Sequence, residues 1–193
     1  MRAWLEEVRE LLRKEEVRSI SRRYFISNGF DGTLTSIGII VGSYLSGVSD
    51  GITVVKIGAG AAVGLATSGV WSVWEIERAE KRAEILQLER AMLTDLDDTN
   101  VQRQKVGARK INAVMSGIGP LIGILLPLVP FLLQSTYFSL LEATVVGVGI
   151  GVGVLFVFGA YLGRLSEQNW FVAGVRMGLA GLVVTAVNVV LPG

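Results

Sequence analysis

The sequence predicts an all-α integral membrane protein with five transmembrane helices and a short cytoplasmic helical extension between spans 2 and 3. Three observations carry that prediction. Apolar stretches at 24–47, 52–74, 111–133, 139–162 and 170–191 are each long enough to cross a hydrocarbon core about 30 Å thick, which takes about 20 helical residues. Nearly all the charge lies between them. Hydrophobic residues make up 51% of the 193 and the mean hydropathy is +0.54, too apolar for a soluble domain that must keep its surface wet.

The elements follow in order. Residues 1–23 form a cytoplasmic segment in which Trp4, Val8, Leu11 and Leu12 recur at spacings of three and four within 3–18. That predicts an amphipathic helix, anchored on the headgroups or on the protein's own inner surface, or else binding a partner. The first 25 residues lack the apolar core of a cleavable signal peptide, so the N-terminus is expected to stay in the mature protein. Spans 1 and 2 occupy 24–74. A cytoplasmic helical segment takes 75–110, where Ile76, Ala79, Ala83, Leu86 and Leu93 keep a heptad-like rhythm that should pack against something. The polar stretch Asp95–Gln104 is expected to hold the turn into a short basic helix leading to span 3. Spans 3–5 fill 111–193.

Basic residues set the expected orientation. Arg2, Arg9, Arg13, Lys14, Arg18, Arg22 and Arg23 precede span 1. Eight more Lys and Arg residues, from Arg78 to Lys110, lie between spans 2 and 3, and Arg164 lies between spans 4 and 5. The connections at 48–51 and 134–138 and the tail Leu191–Gly193 have none. The basic side is expected in the cytoplasm, with the N-terminus inside and the C-terminus outside. The membrane would be the cell membrane in a prokaryote and a vacuolar-type membrane in a eukaryote.

Cysteine and histidine are both absent. This excludes disulfides, thiolate or imidazole metal sites, and Cys- or His-based catalysis. No nucleophile–base constellation is found, so no enzyme is expected. Glycine numbers 24. The pairs Gly38/Gly42, Gly60/Gly64, Gly119/Gly123, Gly159/Gly163 and Gly174/Gly178 fall at the four-residue spacing that lets membrane helices approach closely. Gly147, Gly149, Gly151 and Gly153 would keep two faces of the fourth span slim. Pro127 and Pro130 lie near the outer end of the third.

An ionisable group within a span is costly and is a functional candidate with an expected partner. There are four: Asp31, Lys56, Glu142 and Arg176. At 1.5 Å per residue, Asp31 and Arg176 lie about 10 Å and about 9 Å from the cytoplasmic face, and Lys56 and Glu142 each about 5 Å from the outer face. Two membrane charge pairs are therefore expected, Asp31–Arg176 and Lys56–Glu142, although the outer side chains can also simply reach the headgroups. Asp31 is too deep and too short for that, and must pair, protonate or bind a cation. On the cytoplasmic extension Glu77, Glu80 and Glu84 share a helical face, followed by Asp95, Asp97 and Asp98. These form either a salt-bridged solvated helix, with Lys81 placed to pair with Glu77, or a surface that collects divalent cations. Asn112, Met115 and Ser116 open span 3 at the depth of Asp31, where Met115 is core filler or a soft ligand.

At these residues the chain resembles the vacuolar iron transporter family, from about Arg22 to the C-terminus. "SNGFDGTLTSIGIIVG" is similar to the family's first-span segment with its Asp-Gly pair, and "GAGAAVGLA" to its glycine/alanine-rich second span. "ERAEKRAEILQLER" resembles the charged cytoplasmic extension and "IGPLIGILLPLVPF" the third-span segment ending in Leu-Pro-Leu-x-Pro. "FVFGAYLGRLS" and "AGVRMGLAGLVV" resemble the fourth- and fifth-span signatures. The resemblance implies export of Fe2+ or Mn2+ from the cytosol by a homodimer of five-span subunits, and proton coupling, as in an antiporter, is the expected drive. It implies Asp31 as metal-binding aspartate, Met115 within a residue of a third-span methionine, and Glu77, Glu80 and Glu84 as the extension acids. The departures are specific. The family's second-span methionine falls at or next to Val63, and an earlier acid at Val55 or Lys56. The cytoplasmic connection is much shorter than the glutamate-rich three-helix domain of the plant transporters.

The expected function is thus divalent metal transport. Asp31, Asn112, Met115, Glu77, Glu80 and Glu84 form the metal set, with no permanently bound cofactor. The lipid bilayer, a second copy of the chain, a divalent metal ion and a proton are the partners, and nucleic acid is not one. The alternative is a non-transporting membrane scaffold or accessory protein that binds a partner through its cytoplasmic helices.

Overall fold

The computed structural model describes residues 13–92, 100–134 and 136–190. Five helices dominate them: α1 (Glu15–Leu45), α2 (Gly51–Met92), α3 (Asn100–Leu132), α4 (Leu140–Leu165) and α5 (Trp170–Val190). No strand occurs among the described residues. Four helices, α2 to α5, are long and apolar enough to cross a membrane, and they make the chain a multi-pass membrane protein. The first stretch is less apolar because Asn28, Asp31, Thr33, Thr35 and Ser36 interrupt it.

Two boundaries differ from the sequence-based expectation. Residues 15–18 do not belong to a separate surface helix. They open α1, which runs unbroken through the first predicted span after an extended Lys14 (φ −74°, ψ 122°). The polar stretch Asp95–Gln104 is already helical at Asn100. Most of the predicted amphipathic helix (residues 3–12), Leu93, Asp95, Asp97 and Asp98 lie outside the described residues. The heptad rhythm after Glu75 does continue the second stretch as a single helix, α2, of 42 residues, about 63 Å long at 1.5 Å per residue.

Local chemistry explains the helix ends. At the end of α1 the Ser46 N–H donates to the Gly42 carbonyl at 2.9 Å and Val48 N–H to Ser43 at 3.0 Å. Between them Gly47 takes φ +75°, a left-handed conformation that a Cβ disfavours. Asp50 caps α2, its carboxylate accepting from the Thr53 N–H at 3.0 Å and the Thr53 hydroxyl at 2.9 Å. A capping box opens α4: the Ser139 N–H donates to Glu142 Oε2 at 2.7 Å while the Glu142 N–H donates to Ser139 Oγ at 3.3 Å.

α3 packs extensively against both α1 and α2, and α4 against α5. The α1–α3 crossing is very close. A Cβ on Gly32 would lie 2.7 Å from Pro120 Cα, and one on Gly123 would lie 2.5 Å from the Gly29 carbonyl oxygen. Small residues thus bring backbones together where no hydrophobic effect operates between lipid-embedded helices. Gly159, Gly163 and Gly174 are similarly tight between α4 and α5, whereas Gly38 and Gly42 only touch the Asn188 side chain. Gly60 and Gly64 meet nothing within 4 Å, so this pair does not pack within the subunit. On α4, Gly147 and Gly151 are packed and Gly149 and Gly153 are open, so one slim face is used and the other is bare. Ile40, Val54, Ile124, Leu128, Phe131 and Ala143 form one apolar core, and Ile37, Val41 and Leu155 another.

Candidate functional site

α3 holds Pro120, Pro127 and Pro130 inside its helix. Proline has no N–H, so Pro120 cannot bond the carbonyl of Ser116 four residues earlier. Asn28 of α1 supplies the missing donor: its Nδ2 lies 3.1 Å from the Ser116 carbonyl oxygen and also donates to Ser116 Oγ. This bridge fixes the rotation of α1 against α3. It turns the face bearing Tyr24, Ser27, Asn28 and Asp31 toward α2.

The result is a cavity of about 410 Å³ between α1, α2 and α3. Asp31 lines it with the hydroxyl-bearing Ser27, Ser68 and Ser72, the amide of Asn28, and Arg23 and Tyr24 toward the basic end. Gly69 opens space beside Ser116, since a Cβ there would lie 2.9 Å from Ser116 Oγ. Asp31 itself is exposed in the subunit, and its carbonyl accepts from the Thr35 hydroxyl at 2.8 Å. Carboxylate, hydroxyl and amide oxygens suit hard or borderline divalent cations. The Arg23 guanidinium lies 5.5 Å from the centre of the Tyr24 ring and places a resident positive charge at the same cavity.

The other predicted site residues lie elsewhere. Met115 does not join Asp31: it lines a different, apolar groove beside Phe25 and Phe158 and packs against Val17, Ala108 and Ile111. Asn112 is fully buried at the α1–α3 contact, where its Oδ1 accepts from the Ser21 hydroxyl at 2.7 Å. Its Nδ2 has no partner. Glu77 is 1% exposed, with Oε2 unpartnered, and lies beside the Tyr24 hydroxyl. Glu80 is exposed. Lys81 does not pair with Glu77; its Nζ reaches Glu84 at 3.4 Å and Glu16 of α1 at 3.7 Å. Because Glu77 turns inward while Glu80 faces out, the three acids form no common site. Among the described residues no group of three or more Asp or Glu side chains is placed to hold a metal ion.

Neither predicted membrane charge pair forms as an ion pair among the described residues. Asp31 lines the cavity, and α1 meets α5 six or more residues further along, where Ile37 lies against Gly181 and Gly38 and Gly42 lie near Asn188. Arg176 is on the exposed face of α5. At the other end, Glu142 is engaged by Ser139 of its own cap, and Lys56 lies near Asp50 instead. The Thr53 hydroxyl, backbone N–H groups and the Lys56 charge hold the Asp50 carboxyl below the ordinary carboxylate range.

Sequence reasoning missed Arg23, Ser27, Asn28, Ser68 and Ser72 as cavity residues. Their signal was available: polar side chains recur at helical spacing, at Tyr24, Ser27, Asn28 and Asp31 on α1 and at Ser68 and Ser72 on α2. Val63, at the position of the resembled family's second-span methionine, is 63% exposed on the open face of α2.

Residues 73–191 match the family model described as the VIT family. The chain is also 28% identical over 168 residues to an uncharacterized protein of Methanocaldococcus jannaschii, covering 86% of this chain and 84% of that one. The family match spans the later part of α2, from Val73, and all of α3, α4 and α5, and the archaeal similarity extends over most of the chain. Together with the apolar helices around a polar, acid-bearing cavity, they place this chain in the VIT family, a family of membrane metal-ion transporters.

Proposed function

We propose that this protein exports Fe2+ or Mn2+ from the cytosol in exchange for protons, as a homodimer with its basic end in the cytoplasm. The observation that carries the reading is Asp31, a carboxylate on a cavity wall whose other members are hydroxyls, an amide, apolar side chains and the Arg23 guanidinium. A cation reaching it exchanges part of its hydration shell for these oxygens. Protonation of Asp31 then releases the ion, because a neutral carboxyl is a poor ligand. Glu80 and its neighbouring acids raise the local cation concentration at the mouth. The open face at Gly60 and Gly64 supports a seam between two subunits, since bare small residues on a membrane helix favour close helix contact.

Flux of Fe2+ and Mn2+ into liposomes tests this reading. Wild-type protein should transport and Asp31→Asn should lose at least about tenfold in rate, the scale of about 1.4 kcal/mol of lost ligand interaction. Wild-type rates in that variant eliminate Asp31 as a ligand.

A second reading, a non-transporting membrane scaffold or accessory protein, is favoured by one observation: Arg23 lines the cavity that a cation would enter. Calorimetric titration with Mn2+ separates the two, because a scaffold shows no heat that depends on Asp31.

A further inference from the structure

On the opposite side of α1 from Asp31 lies a groove of about 570 Å³ between α1, α3 and α4. Its walls are Phe25, Ile26, Met115, Ile118, Val157 and Phe158, with the Phe25 and Phe158 rings edge-to-face at 5.9 Å. Arg18, Arg22 and Tyr161 line its basic end, and no carboxylate is among the lining residues. Ser21, which also lines it, already donates its hydroxyl to Asn112. Arg18 and Arg22 are one helical turn apart on the same face. Arg18 holds Glu15 at 2.7 Å, but both side chains are more than half exposed, and such a surface pair is weak. Arg22 forms no ion pair among the described residues.

The order of polarity along this groove follows the depth of a bilayer leaflet. Arg18 and Ile26 are eight residues apart, about 12 Å along the helix axis. Guanidinium groups therefore stand at headgroup level, and aromatic and aliphatic side chains line the space where acyl chains begin. A free anion would use only the rim, and an apolar peptide only the walls. A phospholipid with a net negative headgroup uses both, since basic pockets between membrane helices attract anionic headgroups. We infer that this groove binds an anionic phospholipid of the leaflet at the basic end, with its phosphate on Arg18 and Arg22 and an acyl chain against Val157 and Phe158. The inference depends on the membrane placement of the helices and not on metal transport.

The test is native mass spectrometry of the full-length protein from micelles containing equal phosphatidylglycerol and phosphatidylcholine. Wild-type protein should retain phosphatidylglycerol preferentially. The preference should fall about fivefold in Arg22→Gln and about twenty-five-fold in the Arg18→Gln/Arg22→Gln double variant, at about fivefold per basic residue. Val157→Trp fills the groove below intact arginines and should reduce retention of both lipids. Arg90→Gln, far along α2, should change nothing. Unfolding midpoints in phosphatidylcholine alone verify that each variant is folded. An undiminished preference in the double variant overturns the inference, as does full retention by Val157→Trp. So does equal, weak retention of both lipids by the wild type, which would give the groove to another occupant. Displacement of phosphatidylglycerol by millimolar inorganic phosphate would overturn it in favour of a free-anion site.

Discussion

Asn28 does two things at once: it completes a hydrogen bond that Pro120 cannot make, and it lines the cavity beside Asp31. Replacing it by leucine leaves the Ser116 carbonyl without that donor in a part-buried place, a loss of about 1–3 kcal/mol. Asn28→Leu should therefore lower the unfolding midpoint in detergent, and an unchanged midpoint would mean that water replaces the amide. Asp50 offers a test of opposite character, in a solvated turn. Its carboxyl is held below the ordinary range mainly by the Thr53 hydroxyl, with backbone N–H groups and Lys56 adding to it. A depressed folded-state value means that the stabilisation is present above the unfolded value and is lost as pH falls through the folded one. Asp50→Ala should thus narrow the stability difference between pH 7 and pH 3 relative to wild type, with thermal unfolding at the two pH values as the measurement.

For the helices, closeness of approach and rotational setting decide the outcome. Gly32 sits against the backbone of Pro120, where a methyl group would lie 2.7 Å from Cα. Neither helix backbone can yield locally, so Gly32→Ala should destabilise by about 1–3 kcal/mol through overpacking. Within one subunit Gly60→Ala meets open space, so in the dissociated monomer it should be neutral or stabilising by up to about 1 kcal/mol, the helix preference of alanine over glycine. Chemical unfolding of both variants checks the contrast. The positions of the apolar stretches and the run of α2 past the second stretch were legible in the sequence, because length and periodicity determine them. Azimuth was not. Asp31 and Arg176, expected at one depth, form no ion pair, and Met115 lines the groove on the far side of α1 from Asp31. Which side of α1 meets α3 depends on Gly29, Gly32, Gly119 and Gly123 fitting together, and on Asn28 finding the carbonyl freed by Pro120. These are long-range matches that no spacing within one helix encodes.

Across the whole molecule, polar chemistry is gathered on one side of α1 and apolar chemistry on the other. The Asp31 cavity lies between α1, α2 and α3, next to the exposed stretch of α2 that carries Gly60, Val63 and Gly64. The Arg18–Arg22 groove lies between α1, α3 and α4. On the proposed reading, the cavity side is where a metal ion meets oxygen ligands inside the membrane. The chain contains no cysteine, so a single introduced thiol reports on that place without background. The most direct measurement is the rate at which a water-soluble thiol reagent modifies Ser68→Cys, with and without Mn2+. Asp31-dependent occupancy predicts that Mn2+ slows modification, and that adding Asp31→Asn abolishes the protection. Equal protection with and without the carboxylate, or a thiol that no aqueous reagent reaches, would contradict it.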